Sequence, residues 1–149
     1  MILVDTGALV AAAITNQPEH RECVDLFTSL RLAGRTMIVP PTVVAETGFL
    51  LEKNGGVRAE SAFIRALARR DFVGGQFDDE DYERIAELVD QYADLPLGTT
   101  DASIIALAER LGLREVATLD RRHFTVVRPR HIDAFTLLPE IRPERPAGR

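Results

Sequence analysis

Four carboxylates stand where the chain's pattern opens or closes an element. Asp5 follows the apolar run Ile2-Leu3-Val4, Glu46 lies about a turn beyond Pro40-Pro41, Asp101 opens an apolar helical stretch, and Asp120 closes Glu115 to Thr118. An acid at the C-terminal end of a buried strand sits at the edge where open α/β sheets hold their ligands. A helix that starts from that edge and the end of its following strand lie at the same edge, provided the strands are parallel neighbours joined by right-handed crossovers. The order strand, helix, strand therefore predicts that Asp5, Glu46, Asp101 and Asp120 converge. The competing reading is four unrelated helix caps and surface acids.

Convergence has a chemical consequence. Two unit charges ~4 Å apart repel by roughly 4 kcal/mol at an effective dielectric near 20, so a four-acid cluster needs shared protons, Arg partners or a cation. With hard oxygen donors and no His or Cys between them, Mg²⁺ or Mn²⁺ is the expected occupant, not Zn²⁺. Such an ion activates water as a nucleophile and stabilises the leaving oxygen of a phosphodiester.

The elements that must position these acids follow from periodicity. Ile2 to Val4 and Met37 to Val39 read as buried strands. Ala8 to Ala13 reads as a short helix. Cys23, Leu26, Phe27, Leu30 and Ala33 form the stripe of an amphipathic helix ending near Gly34. Thr42 is a candidate cap for a helix from Val43 to about Lys53, which Asn54-Gly55-Gly56 breaks. A separate helix then spans Arg58 to Arg70, with Ala62, Phe63, Ala66 and Leu67 inward. Phe72 to Phe77 is a weak strand. Asp78-Asp79-Glu80-Asp81 suits the positive end of the next helix better than a metal site, and Tyr82, Ile85, Ala86, Val89 and Tyr92 mark that helix's apolar face. Thr99 or Thr100 caps a helix from Asp101 to Leu111 that Gly112 ends. After the strand Glu115 to Thr118 come a turn, Arg121 to Phe124, and a last strand, Thr125-Val126-Val127. The expectation is an α/β fold with a mostly parallel central sheet and helices on both faces, one domain over 1–138, and a Pro/Arg-rich tail, 139–149, without firm order.

Composition adds bounds. The chain has 149 residues with 46% hydrophobic and 28% charged, ordinary for a globular domain. The N-terminus lacks a basic region before its apolar start, and Ala8 to Ile14 is too short for a bilayer, so neither a signal peptide nor a membrane span is expected. Cys23 is the lone cysteine, which excludes an internal disulfide, fits a cytoplasmic location and reads as core filler. A net charge of −5 argues against a polyanionic partner, but Lys53 is the only lysine, and Arg is the better bidentate phosphate ligand.

Leu3-Val4-Asp5-Thr6, Pro40-Pro41-Thr42-Val43-Val44-Ala45-Glu46, Leu95 to Ser103 and Ala117 to Phe124 resemble the four signature segments of the PIN domain. Their order and spacing are most similar to the VapC-type toxin ribonucleases of bacterial toxin–antitoxin pairs. The resemblance covers about residues 1 to 138. It implies a PIN-like fold and a Mg²⁺- or Mn²⁺-dependent endoribonuclease, with a cognate antitoxin as partner and a homodimeric assembly. Asp5 and Asp101 would be the principal metal ligands, with Glu46 and Asp120 completing the site and orienting the attacking water. Thr6 and Thr118 could hydrogen-bond the carboxylates or simply act as caps. Two alternatives keep the fold: a catalytically silent PIN-like binding module, and a PIN nuclease of RNA processing outside toxin–antitoxin biology.

Arg121, Arg122, Arg128 and Arg130 follow the acidic edge. Arg121 and Arg122 are the candidate RNA-phosphate contacts, against an ordinary solvated role. His123 is the best placed of the three histidines, but the resemblance implies that the His123-Phe124 pair packs a turn in preference to catalysis; His20 and His131 read as surface residues, and Asp94 as a turn acid. Asp5-Thr6-Gly7 also spells the aspartic-protease triplet, but those folds are all-β. A haloacid-dehalogenase-like phosphatase wants a second Asp at the position of Gly7. No G-x-G-x-x-G follows a strand, which excludes a Rossmann nucleotide site.

Overall fold

The computed structural model describes residues 1–140. Five strands form one wholly parallel sheet: β1 (Ile2–Val4), β2 (Met37–Val39), β3 (Val73–Gly74), β4 (Glu115–Ala117) and β5 (Thr136–Leu138), in the spatial order β3-β2-β1-β4-β5. Six helices connect them: α1 (Thr6–Ala13), α2 (His20–Leu32), α3 (Pro41–Ala68), α4 (Asp79–Gln91), α5 (Gly98–Leu111) and α6 (Arg121–Val126). The three central strands, β1, β2 and β4, are almost uniformly apolar and nearly fully buried, as a parallel sheet covered on both faces requires.

The chain runs outward from β1 to β2 to β3, then crosses back to β4 on the other side of β1. Right-handed crossovers then put α1–α3 on one face and α4–α5 on the other. The packing agrees: α1 contacts α2 and α3, while α4 packs on α5. The reversal makes the carboxyl ends of β1 and β4 a topological switch point. Leu3 pairs with Val116 and Val4 with Ala117, and the Asp5 amide donates to the Ala117 carbonyl at 2.9 Å, so the two strand ends are locked at one level.

Helix α5, which carries Asp101, is held to α4 by partly buried ion pairs. Arg84 Nε lies 2.8 Å from Glu109 Oε2, and Arg110 Nε 2.9 Å from Asp81 Oδ2. Asp78 and Asp81 form a reciprocal capping box at the start of α4, the dipole-complementing role expected for the acidic run. Cys23 is buried, and burial, with Glu19 and Glu22 nearby, pushes its thiol up to about 11.

Several expectations are corrected. Thr125-Val126-Val127 is not a strand. It forms the last turn and C-cap of α6, because Asp120 caps the His123 amide and Phe124 anchors the turn in the core. Local capping thereby overrides the β-preference of Thr-Val-Val. The outermost strand is instead Thr136–Leu138, a segment the sequence pattern had not marked. The apolar face of α4 is set by Ile85 and Leu88, and Tyr82 is exposed. Neither His20 nor His131 is a free surface residue, since their ring nitrogens meet the Ala11 and Leu113 carbonyls at 2.8 and 2.6 Å. Pro139 and Glu140 are described, whereas the rest of the expected tail, 141–149, lies outside the described residues. No helix among the described residues is long and apolar enough to cross a membrane.

As expected, Asn54-Gly55-Gly56 interrupts the helix: α3 consists of two helical segments that meet at a kink there. Gly56 sits at φ 76°, ψ 179°, a region essentially restricted to glycine. Gly55 meets Ile14 and Ala59 so closely that a Cβ there would lie 2.8 and 2.9 Å from them. The two glycines let α3 bend over the end of α1. Gly56→Ala is expected to lower unfolding free energy by ~1–3 kcal/mol, read as an earlier urea midpoint. An unchanged midpoint would mean that the kink is incidental.

Candidate active site

Asp5 ends β1 with extended backbone (φ −94°, ψ 160°) and serves as N-cap of α1. Its Oδ1 accepts the Thr6 amide at 2.7 Å and its Oδ2 the Thr118 hydroxyl at 2.8 Å. Thr118, fully buried one residue past β4, also accepts the Asp120 amide at 3.0 Å. One hydroxyl therefore ties the end of β1 to the loop that carries Asp120. Asp120 in turn caps α6 through the His123 amide at 3.2 Å. Asp101 lies in the first turn of α5, and Glu46 lies on α3, where its Oε2 accepts the Thr100 hydroxyl at 3.0 Å.

Asp5, Glu46, Asp101 and Asp120 all line one open cavity of about 560 Å³. The structure thus brings the four predicted acids together. Asp94 is an exposed turn residue outside this wall. Neither Arg nor Lys lines the cavity among the described residues.

The electrostatics record the crowding. The Asp5 carboxyl is pushed up to about 6, chiefly by burial, with the Asp101 and Glu46 charges adding to it and the Thr118 and Thr6 hydrogen bonds opposing. Asp101 is raised as well, first by burial; its bond to His123 works against the rise, and Asp120 adds to it.

His123 is the residue whose role the sequence reading missed. Phe124 packs as expected, but the His123 ring turns to the acids, with Nδ1 2.5 Å from Asp101 Oδ2 and 3.0 Å from Asp120 Oδ2. The i,i+3 spacing from Asp120 on a capped helix was the available signal. Single donor atoms from Asp101, Asp120 and His123 all lie within 4.8 Å of one another. The expected caps also differ. Helix α3 starts at Pro41 and α5 at Gly98, neither with a side-chain cap, which leaves the Thr42 and Thr100 hydroxyls for other partners.

The donor set is carboxylate oxygens from four elements with no thiolate, which fits a hard divalent cation; contrary to the expectation of no His between the acids, the His123 ring nitrogen stands beside two of them. The Thr6 hydroxyl, on the cavity wall, is buried without a hydrogen-bond partner among the described residues. That is a polar atom which a bound water would satisfy. Arg121 and Arg122 diverge: the Arg121 guanidinium donates to the Pro139 carbonyl and lines a separate cavity beside Glu19, Glu22 and Asp25, whereas Arg122 is exposed.

A parallel sheet with a carboxylate-lined cavity at its switch point defines an α/β protein with an acidic candidate site at that edge. Residues 2–128 match the PIN domain family model, and the chain belongs to that family. It is 35% identical over 141 residues to ribonuclease VapC26 of Mycobacterium tuberculosis, covering 93% of this chain and 100% of that protein. Among solved structures, it superposes on M. tuberculosis VapC20, described as a Sarcin-Ricin loop cleaving toxin, with TM-score 0.72 and 20% identity, covering 81% of this chain and 91% of that one. FitAcB from Neisseria gonorrhoeae gives TM-score 0.58 at 24% identity, covering 83% and 91%. These two likenesses speak to the fold.

Because Asp5 titrates near 6 in the folded chain and near 3.8 when unperturbed, the folded state binds its proton more tightly. Its contribution to stability is full below about pH 4 and is lost as pH rises through 6. In chelator, Asp5→Asn is expected to match wild type near pH 4 and to be more stable by roughly 3 kcal/mol at pH 8, an order-of-magnitude figure from about two pK units. Urea unfolding across that range tests this; a difference independent of pH would contradict it.

Proposed function

We propose that this chain is a divalent-metal-dependent endoribonuclease and the toxin of a toxin–antitoxin pair. The observation that carries the reading is four carboxylates from four elements lining one cavity with no basic side chain in its wall among the described residues. PIN family membership and the full-length similarity to a VapC ribonuclease support the RNA substrate and the toxin role. The reading includes a cognate antitoxin, a homodimer, a cytoplasmic setting and one catalytic domain over 1–138.

Asp5 and Asp101 would hold Mg²⁺ or Mn²⁺, and Glu46 and Asp120 would complete the site. When bound, the ion supplies Lewis-acid stabilisation of a phosphodiester oxygen and lowers the pKa of a coordinated water. The protein's own part is positioning. Thr118 and the Thr6 amide fix both oxygens of Asp5, so that carboxylate meets its ligand in one orientation. Glu46, at the exposed side of the cavity, has an oxygen free of hydrogen bonds from the described residues with which to orient the attacking water. The His123 ring holds Asp101 and Asp120 at fixed separation. Arg122 is the proposed phosphate contact. Arg121, engaged by the Pro139 carbonyl, contributes less.

Purified chain should cleave RNA with Mg²⁺ or Mn²⁺, lose cleavage in chelator and regain it on adding the ion back. Asp5→Asn and Asp101→Asn should each slow cleavage about 100-fold or more while remaining folded, since loss of metal-derived stabilisation removes several kcal/mol from the barrier. Cleavage indifferent to chelator would refute the reading.

Arg122→Ala should weaken RNA binding and lower the salt slope of the affinity by about one charge, with Arg121→Ala nearly neutral. Equal effects from the two variants would mean that RNA reaches both side chains.

A further inference from the structure

We infer that Thr100 is a positioning residue that aims Glu46 into the cavity. The inference rests on the metal-nuclease reading above. Glu46 is the exposed member of the quartet: Asp5 is buried, and Asp101 and Asp120 are partly so. A glutamate on an exposed helical face loses much rotamer freedom when it is fixed. Its one side-chain hydrogen bond among the described residues is the 3.0 Å bond that Thr100 Oγ1 donates to Oε2. That bond leaves Oε1 for a cation or its water.

Thr100 is itself fixed, and the protons define how. Ser103 Oγ donates to the Thr100 carbonyl at 2.7 Å. A serine hydroxyl has a single proton, so in the 2.6 Å contact between Thr42 Oγ1 and Ser103 Oγ the donor is Thr42. Thr42 and Glu46 are four residues apart on α3, and Thr100 and Ser103 three apart on α5, so each pair shares one helix face. Hydrogen bonds thus cross the α3–α5 joint in both directions: α3 donates through Thr42, and α5 donates through Thr100. Ser103, fully buried, anchors the joint. The Thr100 hydroxyl does this at a helix start that has no side-chain cap, a local rule broken next to a functional carboxylate.

The test is Mn²⁺ binding by calorimetry on the full chain, comparing wild type, Thr100→Val, Thr100→Ser, Glu46→Gln and the Thr100→Val/Glu46→Gln double variant, each with a urea unfolding midpoint. Thr100→Val removes the hydroxyl at nearly constant volume and should weaken Mn²⁺ binding about 10- to 100-fold, its midpoint showing it folded. Thr100→Ser should restore affinity to near wild type. In the Glu46→Gln background Thr100→Val should cost nothing further, because the two residues act as one unit. Wild-type affinity in Thr100→Val would overturn the inference. So would an undiminished Thr100→Val loss in the Glu46→Gln background, or a Thr100→Ser loss equal to that of Thr100→Val. Wild-type chain that binds no Mn²⁺ would overturn the metal reading beneath it.

Discussion

Mutual repulsion among carboxylates gathered at one edge of the sheet is the constraint around which the structure is arranged. Burying one ionised carboxyl beside others is unfavourable: burial first, and then the neighbouring charges, push Asp5 up to about 6. The fold tolerates the site because the acids are not left bare. Asp5 has two hydrogen-bond donors, Asp101 and Asp120 share the His123 ring, and Glu46 has Thr100. None of these contacts cancels the charge as an arginine in the wall would. The cavity thus remains a strong field for cations, and the rest of the domain has to be stable enough to carry it.

That stability comes from features remote from the edge. The central strands are only three residues long, yet β1 and β2 are buried along their whole length and β4 nearly so. Short strands suffice because a helix begins just beyond the carboxyl end of each. The ion pairs between α4 and α5 hold Asp101's helix from the far side. The kink at Gly56 lets α3 bend over the end of α1.

The elements that present the acids were legible in sequence because each lies at a junction with a plain pattern: an aliphatic run ending in Asp5, a Pro-Pro helix start before Glu46, a Gly-terminated helix opened near Asp101, and a strand closed by Asp120. What was not legible depended on contacts between segments distant in sequence. His123 meets Asp101 across 22 positions, and Thr100 meets Glu46 across 54; neither pairing leaves a local trace. Near the end of the described chain, Thr-Val-Val carried the stronger strand signal, while the true edge strand follows a loop whose course only packing fixes. The break after Asn54 was legible because two glycines usually interrupt a helix, and Gly56 does so; the direction of the bend was not. Here one permits a close approach and the other a bend.

Two of the four acids are also helix caps, Asp5 for α1 and Asp120 for α6. Asparagine caps a helix about as well as aspartate, and a single base change converts an aspartate codon into an asparagine codon. On the proposed role of these acids, one base change is therefore a one-step route to a chain that loses charge at the site and keeps its shape. Replacement by a hydrophobic residue at the same positions removes cap and charge together and invites degradation. The architecture thus biases which altered descendants persist: folded chains with a weakened site, in preference to unstable ones that are degraded.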